Sequence, residues 1–416
     1  MIKKIISGLC LLFSVVSFAQ EGTSSPYSFY GIGDVRFKGT IESRSMAGIQ
    51  VEQDSIHINL DNPASFSNLK LTTFTVGGTY NLTTLKNDSS SEKAKRTTFD
   101  YLAVGLPMGK LGVGFGLIPY SSVGYKINSY TTAEGDVSSR DYGNGGMNKA
   151  FFAASYKLLP NLNVGASVDY NFGTIEATNL QFVNGISTGS RELNKADLSG
   201  VNFNFGAMYQ AKLTKKLALF SSLSYRLESK LASRNTRNIA TISYSSGYDY
   251  SVVQTEGDEN FRKNLTLPSE LKFGLGIGES KKWLVGAQIS SASKGDLENT
   301  YNVDARVSYE KAMKYSLGGY FIPNYSAFSG YFKRVVYRAG LKYEETGLVV
   351  NSESIKDKGF SLGFGLPITG SFSNVNLGFE FGQRGTTSSG LIQENYAKFS
   401  VGLSLNDRWF VKRKYD

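Results

Sequence analysis

The sequence contains a single cysteine, Cys10, and a single histidine, His57. Cys10 lies in an N-terminal segment that we expect to be removed, so the mature chain forms neither a disulfide nor a thiolate metal site. One histidine excludes zinc sites built on several His or Cys ligands, and a His-dependent triad would have to use His57. We therefore predict no enzyme activity, no catalytic residues, no metal site and no cofactor.

No apolar run beyond the N-terminus approaches the roughly 18 residues typical of a transmembrane helix. The N-terminus itself resembles a secretory signal, with Lys3 and Lys4, an apolar stretch at 5–16, and small residues in Ser17-Phe18-Ala19. We predict a signal peptide at residues 1–19. An exported chain of this kind is either soluble or a β-barrel in the outer membrane, because only helices and closed barrels satisfy every backbone group in lipid.

Proline is scarce, at 8 of 416 residues, whereas the chain has 45 Gly, 25 Tyr and 27 Phe. This composition suits strands with one apolar face and one polar face. The net charge of +10 is not concentrated in one basic stripe, so we predict no nucleic-acid partner.

Apolar and polar residues alternate with a period of two in many segments, which is typical of β-strands. Within 161–173, one face carries Leu162, Val164, Ala166, Val168, Tyr170 and Phe172. Such segments occur near 70–86, 97–108, 110–128, 147–159, 161–178, 198–213, 216–230, 267–278, 281–297, 312–322, 335–350, 357–367, 374–384 and 393–405. They predict an all-β fold, a transmembrane antiparallel β-barrel of about 14 strands.

The predicted connections alternate between tight turns and long polar loops at 129–146, 179–197, 231–266 and 298–311. This asymmetry is typical of outer-membrane barrels, whose long loops lie outside and whose short turns lie in the periplasm. An even strand number places both termini in the periplasm. The connection at 323–334 departs from the pattern, because it lies on the short-turn side yet is long enough for a small helix or a hairpin extension.

Alternation alone leaves open a soluble barrel or sandwich, in which the apolar face points inward. About fourteen strands enclose a wide lumen, however, and the polar faces carry Gly, Asn, Ser and several charges. We therefore expect residues 70–405 to form the membrane barrel and 406–416 a C-terminal periplasmic tail.

Residues 20–69 do not alternate, and they are the right length for an N-terminal hatch or plug inside a wide lumen. Pro63 fixes its own φ and biases Asn62 toward extended geometry. Asn62-Pro63-Ala64 either shapes the corner between the hatch and the first strand or contacts a ligand.

The hatch motifs resemble those of the FadL family of outer-membrane barrels, which carry hydrophobic compounds. The matching residues are Met46-Ala47-Gly48, Asp54 and Asn62-Pro63-Ala64, which we name as the candidate ligand path. Other short motifs look like those of Bacteroidota members: 25–28, 31–34, 267–271, 337–341 and 408–412.

The resemblance implies passive transport of hydrophobic or amphipathic small molecules in the outer membrane, with outer-membrane lipid as the surrounding partner. The alternative is a non-transporting interaction protein, such as a barrel associated with type IX secretion, whose partners are secretion-system components. An elongated apolar pocket between hatch and wall favours the first hypothesis, and a lumen packed by residues 20–69 favours the second.

Overall fold

The structure is a computed structural model that describes residues 22–36, 38–130, 136–183, 185–244, 250–297 and 306–409. The predicted signal peptide at 1–19 lies outside the described residues, as does the end of the predicted tail at 410–416.

The described residues form fourteen barrel strands, four of which are interrupted. They are β1 (Thr72–Lys86), β2 (Ser91–Met108), β3 (Leu111–Pro119 with Lys126–Ser129), β4 (Val137–Leu159), β5 (Leu162–Val183), β6 (Thr188–Lys212), β7 (Ala218–Arg226 with Ser229–Tyr244), β8 (Tyr250–Leu267 with Glu270–Glu279), β9 (Trp283–Ala292), β10 (Val307–Tyr309 with Ala312–Phe321), β11 (Val336–Val350), β12 (Glu353–Pro367), β13 (Asn374–Arg384) and β14 (Gln393–Asp407).

Consecutive strands pair antiparallel, and the sheet closes where β1 pairs with β14. The closing ladder runs from Thr72 opposite Asp407 to Lys86 opposite Gln393. Closure removes the free edges that a membrane barrel does not tolerate. The predicted fold class, a transmembrane barrel of about fourteen antiparallel strands, is confirmed.

The outer face of the barrel is apolar and its inner face is polar, as expected for a barrel surrounded by lipid. On β6 the outward Phe203 and Phe205 are 49% and 47% exposed, whereas the inward Asn202 is 2% exposed. The same inversion recurs on β8, where Phe273 and Leu275 are both 43% exposed. Apolar side chains therefore point outward to lipid and polar ones point inward, which excludes the soluble alternative.

The prediction of long loops at 129–146, 179–197 and 231–266 was wrong, because strands occupy most of these ranges. β4 already begins at Val137, β5 continues to Val183, and β6 begins at Thr188. Residues 231–266 belong largely to a hairpin in which Ser229–Tyr244 pairs with Tyr250–Leu267. Above the membrane both faces of a strand contact water, so hydrogen-bonded strands persist there without the alternation that reveals them. The predicted loop at 298–311 lies partly outside the described residues, and β10 begins within it.

The N-terminal segment (residues 22–36 and 38–71) precedes the barrel and holds little regular structure. It contains a four-residue α-helix, Ile41–Arg44, and two 3₁₀-helices, Pro26–Phe29 and Pro63–Asn68. Two further 3₁₀-helices, Tyr331–Lys333 and Ser388–Gly390, lie between barrel strands. None of the helices in the described part of the chain is long and apolar enough to cross a membrane.

Candidate functional site

The Asn62-Pro63-Ala64 motif is fixed to the inner wall at β5, β6 and β7. Asn62 is 2% exposed, and its Nδ2 donates to Ala207 O at 3.1 Å, Ser222 Oγ at 2.9 Å and Leu223 O at 3.0 Å. Its Oδ1 accepts from the Ala64 N–H at 3.0 Å, which caps the 3₁₀-helix that begins at Pro63. One amide side chain thus starts a turn and fastens that turn to the barrel.

Inward-facing glycines make this close approach possible. A Cβ added at Gly206 would lie 2.0 Å from Asn62 Oδ1, and one added at Gly165 would lie 2.6 Å from the carbonyl carbon of Pro63. Only a residue without a side chain leaves room for the N-terminal segment at these positions. Sequence reasoning did not identify these glycines as the positions where the N-terminal segment packs against the wall. Their inward position in an alternating strand is a signal that could have found them.

The Met46-Ala47-Gly48 turn lies against another part of the wall, at β10, β11 and β12. Ala47 N donates to Ser361 Oγ at 3.1 Å, and Ala47 O accepts from Ser316 Oγ at 2.8 Å. A Cβ at Gly340 would lie 2.5 Å from the carbonyl carbon of Met46. The turn has positive φ at both Ala47 (60°) and Gly48 (97°).

Arg44 connects the N-terminal segment to two further strands through buried charges. Its Nε donates to Glu380 Oε1 on β13 at 2.7 Å, and its Nη1 donates to Asp100 Oδ2 on β2 at 2.8 Å. The Arg44 side chain is 10% exposed. Nearby, Glu42 accepts from Asn376 Nδ2 at 2.8 Å and from Ser404 Oγ at 3.0 Å. The segment therefore contacts strands all around the barrel.

Asp54 forms a local turn with the chain's only histidine. Its Oδ1 accepts from the N–H of Ile56 at 2.8 Å and of His57 at 3.2 Å, and its Oδ2 lies 2.7 Å from His57 Nδ1. Burial opposes ionisation of Asp54, but the imidazole and the two N–H donors lower its pKa to about 2. Burial lowers and the Asp54 carboxylate raises the pKa of His57, and the net shift is upward. This pair is a turn clamp rather than part of a catalytic triad.

The seven predicted residues do not converge on one pocket. Among the described residues, a cavity of about 290 Å³ lies between the N-terminal segment and the wall, and only Gly48 of the seven lines it. Its ion pairs include Lys272 Nζ with Asp61 Oδ1 at 2.7 Å and Lys38 Nζ with Glu344 Oε2 at 3.1 Å. The cavity is lined by many charges and is not an elongated apolar pocket. A role of the seven residues in a ligand path stays a prediction.

The wall has a seam between β2 and β3. In the described chain these strands pair only from Leu102 opposite Leu117 to Met108 opposite Leu111. Beyond that point, β2 continues to pair with β1 as far as Ser91, and β3 pairs with β4. The outer halves of β2 and β3 therefore face one another without ladder hydrogen bonds.

β3 leaves the wall beside this seam. Residues 120–125 are all buried, and Ser121–Ser122 pairs antiparallel with Asp34–Val35 of the N-terminal segment. Gly146 has a φ of 143°, and a Cβ there would lie 2.3 Å from Ser121 O. The bend thus brings a barrel strand into contact with the N-terminal segment.

The N-terminal segment also lines the seam from inside. Arg36 Nη2 lies 3.6 Å from Asp100 Oδ1 on β2, and Arg96 Nε donates to Thr23 O at 3.3 Å. Polar groups of the N-terminal segment therefore lie beside the part of β2 that has no ladder with β3. Within the described ranges, no group of three or more His, Cys, Asp or Glu side chains is arranged to hold a metal ion.

The family model described as BamG matches residues 1–416. A search of curated proteins gave no match. Among solved structures, the Pseudomonas putida toluene transporter TodX is 17% identical with a TM-score of 0.59, covering 94% of this chain and 99% of that one. A Pseudomonas aeruginosa FadL homologue is 10% identical with a TM-score of 0.60, covering 91% and 99%. The CymD monoaromatic hydrocarbon channel is 15% identical with a TM-score of 0.56, covering 91% and 99%. At these identities the likeness establishes a shared fold.

Proposed function

The chain belongs to the BamG family, and from its fold we propose that it is an outer-membrane barrel for passive transport of hydrophobic or amphipathic small molecules. The seam between β2 and β3 is the observation that carries the proposal. An apolar molecule leaves most readily sideways into lipid, because a charged lumen is a poor route for it. The solved barrels that share this fold include ones described as a toluene transporter and a monoaromatic hydrocarbon channel.

In this mechanism residues 20–69 act as a hatch that keeps the seam lined with protein. A molecule entering from the outer side displaces part of the hatch, passes the bend of β3 and leaves between β2 and β3. Unpaired backbone groups at the seam require protein or water partners at every stage, since lipid supplies none. Met46-Ala47-Gly48 and Asn62-Pro63-Ala64 hold the hatch to the wall, and Asp54 fixes a turn within the hatch. Together they determine how far the hatch moves. Residues 1–19 direct export, and the chain beyond the end of β14 at Asp407 forms the periplasmic tail.

Tethering the hatch tests this mechanism. A Cβ built at Gly402 lies 3.4 Å from the Cβ of Ile41, close to the roughly 3.5–4.5 Å of a disulfide, and the predicted mature chain has no other cysteine. The double variant Ile41→Cys/Gly402→Cys is placed in liposomes, and uptake of toluene and oleate is measured before and after reduction. The single cysteine variants are the controls.

We expect uptake above that of empty liposomes for the wild type and the reduced double variant, and little uptake after oxidation. Equal uptake by wild-type and empty liposomes refutes transport. Equal uptake by oxidised and reduced forms refutes hatch movement while leaving transport standing.

A second candidate function, a non-transporting interaction protein, is favoured by the lumen itself. Small-molecule sites are mostly apolar and measure about 300–1,000 Å³. The cavity beside the N-terminal segment is about 290 Å³ and is bordered by charges that include Lys38, Lys272, Lys314 and Glu344. Stoichiometric recovery of a second barrel or a lipoprotein in mild detergent, together with no uptake in liposomes, supports this candidate, and secretion-system components are then the partners to seek.

A further inference from the structure

The connection between β10 and β11, which we call the rim loop (residues 323–334), exposes aromatic side chains to an unusual degree. Phe328 is 107% exposed and Phe332 is 76% exposed, and Tyr325 and Tyr331 are 47% and 38% exposed. The loop lies at the end of the barrel where β1 begins and β14 ends. Clustered exposed aromatics on a folded protein mark an interaction surface.

The rim loop is anchored at its base and to β12, although its aromatic rings are exposed. Ile322 and Val335 at its base are 4% and 1% exposed, and Asn324 N donates to Lys333 O at 2.8 Å across the base. Tyr331 donates its hydroxyl to Pro367 O on β12 at 3.2 Å. An ordered surface loses little conformational freedom on binding, so its aromatic rings are ready to contact a partner.

The charge around the loop is basic. Lys281 Nζ lies 4.9 Å from the centre of the Tyr325 ring, and the Arg334 guanidinium lies 5.7 Å from that of Tyr331. Lys282 pairs with Glu279 at 3.2 Å, whereas Lys281, Lys333 and Arg334 have no carboxylate partner among the described residues. Aromatic residues interleaved with Arg are enriched at the centres of protein interfaces.

Immersion in lipid fits the loop poorly. The backbone N–H groups of Phe328 and Phe332 have no acceptor among the described residues, and such groups are costly in hydrocarbon. Phenylalanine also lacks the polar tip that makes Tyr and Trp the residues of membrane interfaces. These features favour water in the free protein and a protein surface in a complex.

We propose that the rim loop docks a partner protein, with Phe328 and Phe332 filling an apolar pocket and Lys281, Lys333 and Arg334 facing acidic side chains around it. The proposal does not depend on transport, since the loop lies away from the β2–β3 seam. Loss of rim-loop binding therefore leaves liposome uptake unchanged, and the two functions fail separately.

The test places a photoreactive phenylalanine at position 328 in cells and, as control, at Leu158. Leu158 is 55% exposed at a β-bulge near the end of β4, on the same rim. We expect one protein adduct from position 328 and none from 158, with the cross-linked partner peptide rich in Asp and Glu. Recovery of that partner in mild detergent falls at least about tenfold with Phe328→Ser/Phe332→Ser and with Lys333→Glu/Arg334→Glu, and it is unchanged with Leu158→Ser.

Each variant is first checked for folding by the gel mobility of its unheated form, since none of these side chains takes part in a barrel ladder. Three outcomes overturn the proposal: no adduct at 328, equal adducts at 328 and 158, or partner recovery unchanged by both double variants. Quenching of Phe328→Trp fluorescence by brominated phospholipid, measured against the wild-type background, also overturns it, because it places the loop in the bilayer.

Discussion

Replacing Asn62 by aspartate changes one atom type and is expected to release the motif from the wall. The amide donates to Ala207 O at 3.1 Å, Ser222 Oγ at 2.9 Å and Leu223 O at 3.0 Å in a site that is 2% exposed. A carboxylate donates to none of them. Ser222 can rotate and donate to the new carboxylate, but the two carbonyls cannot.

The magnitude follows from these contacts. Two lost hydrogen bonds cost about 2 kcal/mol, and burying a charge beside two carbonyl oxygens adds at least about 1 kcal/mol. A local loss of about 3 kcal/mol corresponds to a roughly 100-fold faster opening of the turn. The ladders of the barrel are untouched, so the barrel itself stays folded.

Hydrogen exchange in detergent measures this opening directly. The reporters are the N–H groups of Ser65, which donates to Asn62 O, and of Leu69, which donates to Phe66 O. Asn62→Asp speeds their exchange about 100-fold at neutral pH, and less at acid pH, where a protonated carboxyl donates again. Burial raises the pKa of the new carboxyl above its unfolded value, so its cost grows as the pH rises.

The matched control is Asn87→Asp. Asn87 Oδ1 accepts from the N–H of Ser89 at 3.0 Å and of Ser90 at 2.6 Å in an exposed turn, and a carboxylate accepts equally well. In Asn87→Asp the N–H groups of Ser89 and Ser90 exchange at the wild-type rate. If Asn62→Asp also leaves the rates of Ser65 and Leu69 within about threefold of wild type, Asn62 does not hold the segment to the wall.

Three further predictions use the same contacts. Gly206→Ala places a Cβ 2.0 Å from Asn62 Oδ1 and lowers the free energy of urea unfolding by about 1–3 kcal/mol. The control Gly378→Ala, whose added Cβ has its nearest atoms at 3.1 Å, is tolerated. Equal losses of stability in the two variants contradict the conclusion that Gly206 makes room for Asn62. Arg44→Met removes the cation that pairs with Glu380 and leaves Asp100 only the longer contact with Arg36 at 3.6 Å, so it costs about 3–5 kcal/mol. Protease resistance of the N-terminal segment equal to wild type argues against this ion-pair network. The NMR signal of the single histidine gives a raised pKa, above 6.5, and Asp54→Asn lowers that pKa. A titration midpoint that does not move in Asp54→Asn refutes the interaction between Asp54 and His57.

The pH range of the Asp54–His57 clamp follows from the two shifts. The raised pKa of His57 gives stability that is complete below 6.5 and is lost as the pH rises through the folded-state value. The lowered pKa of Asp54 gives stability that is complete above 3.8 and is lost as the pH falls toward about 2. The clamp is therefore strongest between pH 3.8 and 6.5.

The membrane part of the fold is predictable from sequence because lipid and lumen make opposite demands on neighbouring residues. Leu162 to Phe172 alternate, and β5 begins at Leu162 as the alternation requires. The extensions above the membrane are not predictable in this way. The strand Ser229–Tyr244 has water on both sides, so only its hydrogen-bonded pairing with Tyr250–Leu267 reveals it.

The candidate site was predictable in its residues and not in its contacts. Asn62-Pro63-Ala64 is recognisable as a corner, because Asn caps and Pro begins a turn. Its seat at Gly165 and Gly206 depends on the register of β5 against β6, where Gly165 lies opposite Gly206. Register over such sequence distances follows from the whole barrel, and no local pattern encodes it.

The hydrogen bonds between the N-terminal segment and the barrel strands imply an order of assembly. Glu42 accepts a hydrogen bond from Asn376, which follows it by 334 residues in the chain. Asn62 donates to Ser222, which follows it by 160 residues. Residues 22–71 are thus made before every strand that receives them, yet they find their places only after those strands are paired. Contacts so distant in sequence form late and slowly. The N-terminal segment is consequently the last part to fold, and during biogenesis it remains available to whatever guides the strands into a closed ring.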